Sequence, residues 1–285
     1  MVVIDAHQHV WDLTHVAYPW LTPEFGVLHR TYSFAELEPQ IADCGVDSTV
    51  LVQAADSVEE TRWMQSVADA YSRIAAIVAW VPLTDAVAAA RLIDEYASDR
   101  RIVGIRHLIH NELDQDWLLR TDVQEGLALL AERELTFDVV AVTDRHLQHV
   151  ATIAKTHPTL KLVIDHLAKP PIATGERMPW ADSLARAADL PNVYAKISGL
   201  NTAAAPEWTA DDLKPYVDHA IDVFGTDRLM FGGDWPVSLL SGDYRRVWDA
   251  TREVIADRSA AESEAILGGT AAAFYGLAER ALIDV

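Results

Sequence analysis

Eight short runs of β-branched and apolar residues, most followed by a longer stretch with the spacing of an amphipathic helix, constrain this chain more than any other feature. The runs are VVIDA (2–6), STVLVQA (48–54), IAAIVAWV (74–81), RIVGIRH (101–107), LTFDVVA (135–141), LKLVIDH (160–166), NVYAKIS (192–198) and RLMFGG (228–233). Helical periodicity occupies 33–45, 57–73, 122–134, 144–157 and 209–225. In the last of these, Leu213, Tyr216, Val217, Ala220, Ile221 and Phe224 recur at the i, i+3, i+4, i+7 spacing of a core-facing stripe. Thr209 or Asp211 is placed to cap its start, and Gly225 to end it. Strands interleaved with helices demand a parallel sheet, and eight of them in a chain of this length predict an α/β fold, a single (β/α)8 barrel domain spanning 1–285. A doubly wound open sheet is the other architecture this alternation permits. It calls for a glycine-rich turn after the first strand, where this chain has HQHVWD. Residues 261–278 are expected to form terminal helices broken at Gly268-Gly269, with Thr270 as a cap.

A barrel gathers its chemistry at the carboxyl ends of its strands, and there the polar residues fall. The first run ends in His7 and His9, the second in Gln53, the fourth in Arg106-His107, the sixth in Asp165-His166, the seventh near Lys196 and the eighth in Asp234. If the first strand continues through His9, the two imidazoles project to one side, their Cα atoms about 6.6 Å apart. An isolated H-x-H is more often an ordinary pair of loop residues; converging partners from other strands change that reading. His7, His9, His166 and Asp234 together offer three imidazoles and a carboxylate, a donor set suited to one divalent ion such as zinc or manganese. Asp234 is also placed to act as a general base toward water.

Composition narrows the partners. Asp and Glu number 43 against 23 Lys and Arg, a net charge of −20, so a nucleic-acid backbone would be repelled. Cys44 is the only cysteine, which excludes an intrachain disulfide. The amino-terminal residues lack a secretory pattern, and no apolar run approaches the roughly 20 residues that span a bilayer. These features predict a cytoplasmic protein, bound to neither nucleic acid nor membrane, with a monomer and a homodimer both open.

The residues also carry a family resemblance. IDAHQHVWD (4–12), YPWL (18–21), GIRH (104–107), HNELDQDWLL (110–119), LTFDVV (135–140), IDHLAKP (164–170), NVYAKISGL (192–200), DDLKPYVDHAIDVFGTDRLMFGGDWPV (211–237) and FYGL (274–277) closely resemble the sugar-lactonase group of the amidohydrolase superfamily, to which L-fuconolactonase and L-rhamnonolactonase belong. The resemblance implies a distorted barrel and hydrolysis of a sugar-derived aldonolactone. It carries over His7 and His9 as a ligand pair, His166 as the later histidine and Asp234 as the residue that activates water. The fourth run lacks the lysine or glutamate that bridges two ions in other members, so at most one metal is expected, and lactone hydrolysis without a metal is the other form. His107 is the expected imidazole for the oxyanion. Gln53, Trp80, His107, Lys169 and Trp235 are the expected contacts to a hydroxyl-rich small-molecule lactone, with His110 as a further one and the loop of Tyr18, Pro19 and Trp20 as a cover. Two rival readings stay open: a pyrone or muconolactone hydrolase or a decarboxylase, whose carboxylated substrates call for arginines such as Arg106, Arg62 or Arg145 at the mouth, and a catalytically silent binding barrel.

Overall fold

The computed structural model describes residues 2–277. Eight parallel strands run in chain order around one sheet: β1 Ile4–Gln8, β2 Ser48–Val52, β3 Ile74–Ala79, β4 Ile102–His107, β5 Thr136–Val139, β6 Leu162–Ile164, β7 Val193–Ile197 and β8 Leu229–Phe231. Each pairs with its successor in parallel register. This is the expected (β/α)8 architecture. Both faces of the strands are covered, which explains why they read as nearly continuous apolar runs rather than as alternating ones. Ile4, Ala6, Val50, Val52, Ala76, Val78, Val103, Val163 and Met230 fill the ring. Leu51, Ile77, Ile105, Phe137, Leu162 and Phe231 belong to the outer layer with the helices.

The helices are α1 Phe34–Asp43, α2 Val58–Ala70, α3 Ala86–Tyr96, α4 Thr121–Glu132, α5 Asp144–Thr156, α6 Trp180–Ala188, α7 Ala210–Phe224, α8 Tyr244–Val254, α9 Ala260–Glu264 and α10 Thr270–Tyr275. Their ends follow local chemistry. Ser33 with Glu36 and Thr209 with Asp212 form reciprocal capping boxes. Gly225, at φ 72°, ends α7 in a conformation that a side chain disfavours. None of the described helices is long and apolar enough to cross a membrane.

One expectation is corrected at the carboxyl-terminal side. The helix does not break at Gly268-Gly269: a π turn, Ala265–Gly269, joins α9 to α10, and Thr270 is no cap but donates to the Thr226 carbonyl. The glycine serves a close approach instead, since a methyl group at Gly268 would lie 2.0 Å from the Val2 carbonyl oxygen. The π turn thus rests against the start of β1, and Phe274 and Tyr275 of α10 plug the ring from below. Ala278, the last residue of the expected segment, lies outside the described residues.

The strands stop where the chemistry begins. The apolar runs read from sequence extended to Ala54, Val81 and His166, whereas β2, β3 and β6 end at Val52, Ala79 and Ile164. Between β8 and β1 the ring is joined at its upper rim by two backbone bonds, His9 N–H to the Trp235 carbonyl and Asp234 N–H to the His7 carbonyl, each 2.7 Å.

Candidate active site

His7 ends up buried at the centre of this rim. Its Nε2 faces the Arg106 Nη1 donor at 3.0 Å and its Nδ1 faces the Lys196 Nζ donor at 3.1 Å, so a cation stands at each ring nitrogen. Asp165 Oδ1 stands 3.2 Å from the same Nδ1. Burial holds the ring neutral, far below the ordinary imidazole range. His9 Nδ1 donates to the Val52 carbonyl at 2.7 Å, which turns its Nε2 toward His7 Nε2, 3.1 Å away. Asp234 Oδ1 lies 3.7 Å from the first Nε2 and 3.6 Å from the second. Two ligands on a tetrahedral zinc stand about 3.4 Å apart, so these three atoms have the separation and donor chemistry of a divalent-metal site, with the Val52 carbonyl orienting one imidazole from behind. His166, the fourth of the expected ligands, is brought to the same rim, its Nδ1 3.9 Å from Asp234 Oδ2. With His7 and Asp165 it forms a second cluster of possible ligands, and its Nδ1 is engaged by Ser198 Oγ at 2.8 Å.

His166 reaches the rim through an uncommon backbone. His166, Leu167, Ala168 and Lys169 all take positive φ, between 48° and 60°, one left-handed turn made without glycine. Asp234 is left-handed too, at φ 51°. Such conformations cost of order 1–3 kcal/mol each and persist where packing over-determines them. Burial lowers His166 to about 4, against an opposing pull from Asp234. Burial alone would raise the Asp234 carboxyl, but His166, the bond to His9 and the Lys169 ammonium reverse this and keep it well below the usual range. Asp234 Oδ2 has no hydrogen-bond partner among the described residues. Lys169 Nζ donates to Thr202 Oγ1 at 2.7 Å. Gly199, at φ 57°, leaves the room these groups need: a Cβ there would meet Asp234 Oδ2 at 2.3 Å and His166 Nδ1 at 2.8 Å.

Beneath them lies a buried polar layer that sequence reasoning missed or left unassigned. Asp165 accepts from Arg106 Nη1 at 3.0 Å and pairs with Lys196 Nζ at 3.1 Å. Lys196 also pairs with Asp138, which accepts from Tyr275 of α10 at 2.7 Å. Asp5 takes the His7 and Gly233 amides and the Tyr244 hydroxyl at 2.9–3.0 Å and so ties β1 to the turn after β8. A charged residue inside an otherwise apolar strand was the signal available for Asp5, Asp138 and Lys196.

Above the rim opens a cavity of about 320 Å³. His9, Arg106, His166, Lys169 and Asp234 line its polar side, and Trp20, Phe25, Leu108, Val140, Val142 and Val237 its apolar side, with His110 and Asn111 also on its wall. Trp20 belongs to the expected covering loop, and its indole N–H is spent on the Ala54 carbonyl, so what it offers a ligand is ring surface.

Four expected contacts do not line this cavity. His107 has both nitrogens occupied, Nδ1 by the Trp80 indole and Nε2 by Glu112 at 2.7 Å, and it stacks on Trp117 at 4.1 Å. Trp80 is thereby engaged as well. Gln53 is buried, its amide donating to Asp56 and the Arg106 carbonyl. Trp235 is buried edge-to-face against Tyr32. Arg62 and Arg145 form exposed ion pairs with Glu95 and Asp116. Among the described arginines, Arg106 alone lines the cavity.

Comparison with known proteins places this geometry in context. The chain is 38% identical over 277 residues to an L-fucono-1,5-lactonase of Burkholderia ambifaria, covering 95% of this chain and 94% of that protein. It is 36% identical to an L-fucono-1,5-lactonase of Burkholderia multivorans, with 98% and 97% covered. A crystal structure of an amidohydrolase from Burkholderia multivorans with bound zinc superposes with a TM-score of 0.87 at 34% identity, over 97% of this chain and 99% of that one. The amidohydrolase profile matches residues 4–277, and the chain belongs to the amidohydrolase family.

Proposed function

We propose that this protein is a lactonase that hydrolyses an aldonolactone of the L-fucono-1,5-lactone kind. The single observation that carries the reading is the convergence of His7, His9 and Asp234, the last two of them on the wall of a cavity with one polar and one apolar side. The relatives named L-fucono-1,5-lactonase support it across nearly the whole chain. A 6-deoxy lactone presents hydroxyls and one methyl group, and the apolar side of the cavity suits the latter.

In this reading Asp234 is the base. Its unpartnered Oδ2 takes a proton from a water in the cavity, and the water oxygen bonds to the lactone carbonyl carbon. His166, neutral and oriented by Ser198, holds that water beside Asp234. The carbonyl π pair moves onto its oxygen, and Arg106 and Lys169 are the cations at hand to stabilise the oxyanion. Collapse breaks the bond to the ring oxygen, which leaves with the proton that Asp234 took up, and the open acid is released. Trp20 and Phe25 form the wall against which the sugar ring packs. His7, His9 and Asp234 would hold a divalent ion, zinc or manganese. Such an ion, when bound, polarises a carbonyl and acidifies water.

A carboxylated substrate fits less well, because Arg106 is the one arginine on the cavity wall among the described residues. The test is a pH-indicator screen over L- and D-aldonolactones and dicarboxylated lactones, run with metal-analysed and chelator-treated protein. Turnover of neutral six-membered sugar lactones is expected; turnover confined to the dicarboxylated set, or none at all with metal supplied, overturns the assignment.

A further inference from the structure

The metal site and the Arg106 guanidinium lay claim to the same lone pair. Arg106 Nη1 donates to His7 Nε2 at 3.0 Å, and that nitrogen is the atom His7 would offer an ion together with His9 Nε2 and Asp234 Oδ1. Both cannot hold it at once. We infer that Arg106 is a built-in competitor of the divalent ion, occupying His7 Nε2 when the ion is absent and setting how tightly the site takes one. The inference rests on the reading of His7, His9 and Asp234 as the ligands.

Charge supports competition. Around the His7 ring nitrogens stand two cations, Arg106 at 3.0 Å and Lys196 at 3.1 Å, and two carboxylates, Asp165 at 3.2 Å and Asp234 at 3.7 Å. The group balances without a dication, and an ion bound beside a fixed guanidinium would be repelled in surroundings that screen poorly. The fold also gives Arg106 somewhere to go. It lines the cavity, its Nε has no partner among the described residues, and Asp165 keeps Lys196 if the guanidinium leaves. Entry of the ion therefore requires the guanidinium to swing off His7 toward the cavity, the space that substrate occupies.

Competition of this kind has a direct readout in affinity. Zinc dissociation constants would be measured on the metal-stripped full chain by competition with a chromophoric chelator, for wild type, Arg106→Lys, Arg106→Gln and the double variant Arg106→Gln/His9→Gln, each checked for folding by circular dichroism. Gln keeps an N–H for Asp165 without the charge. A hydrogen bond from a charged donor is worth enough that its removal is expected to tighten zinc binding by about tenfold or more. Arg106→Lys should fall near wild type, and the gain should vanish in the double variant. Equal or weaker zinc binding by folded Arg106→Gln overturns the inference. Should Arg106→Gln not fold, a crystal structure of zinc-loaded wild type decides: the guanidinium displaced from His7 Nε2 supports competition, and an ion on that nitrogen with the guanidinium still beside it refutes it. Lactone turnover is a separate reading. Tighter zinc in Arg106→Gln with every lactone inert to the wild-type protein would retain the competition and discard the reaction, whereas lactone turnover by wild type with zinc affinity unchanged in Arg106→Gln would do the reverse.

Discussion

The amide of Asp234 donates to the carbonyl of His7 at 2.7 Å. With its companion from His9 to Trp235, this bond joins the last strand to the first, so the main-chain link that completes the ring also sets the carboxylate beside two imidazoles. The proposed base and the proposed ligands are thereby placed by backbone rather than by side-chain packing alone, the kind of support a precise site requires.

Asp234→Asn should retain the fold and lose about 10²–10⁴-fold in kcat, the range expected when a general base is removed. Asparagine tolerates the left-handed backbone at this position, so the thermal midpoint should move little. Steady-state kinetics beside a thermal melt checks this; near-normal kcat would exclude Asp234 as the base.

Gly199→Ala should damage both members of the proposed pair at once. The new methyl would press on Asp234 Oδ2 and His166 Nδ1 and would add strain at φ 57°. A loss of about 1–3 kcal/mol in stability and a fall in kcat larger than any rise in KM are expected, measured by urea unfolding and lactone kinetics.

His166 makes stability depend on pH. Its value of about 4 in the fold, against the ordinary 6.5, means that folding favours the neutral ring. Its contribution is complete above pH 6.5 and drains away as pH falls through 4, about 2 kcal/mol of it between pH 7 and pH 5. The gap in unfolding free energy between wild type and His166→Gln should narrow by that amount across this interval. An unchanged gap would mean that the ring is not held neutral.

Trp20→Leu should raise KM several-fold with a smaller change in kcat, because the indole offers surface to the substrate while its N–H is committed to Ala54. Trp20→Phe should be milder. His107→Gln provides the contrast: its ring bonds Trp80 and Glu112 and stacks on Trp117, so it should lower the melting temperature and leave kcat within about threefold, the outcome of lost packing rather than lost chemistry.

Much of this was legible in the sequence, and the parts that were not have physical causes. The ring could be counted because parallel strands buried on both faces stand out as apolar runs. His7, His9 and Asp234 could be paired because a barrel sends strand ends to one rim. The side a given residue faces was harder. Arg106 and His107 are neighbours on β4, and adjacent strand residues point to opposite faces: Arg106 turns into the ring, while His107 turns out toward Trp117. Proximity to a strand end suggested the histidine, whereas alternation counted from the outward-facing Ile105, past the register shift beside Val103, selects the arginine. The left-handed turn at 166–169 had no signal at all, since none of its residues is glycine. Trp20 was visible only as part of a loop that could also have been packing.

The wedge of the π turn against β1 has a consequence for the order of assembly. One flank of β1 meets β2 within the first fifty residues, while the other waits for Asp234 and Trp235 and, lower down, for Gly268. A nascent chain therefore carries an open strand edge, a template for unwanted pairing, through most of its synthesis, and the first histidines acquire the carboxylate of Asp234 only when nearly everything else has been made.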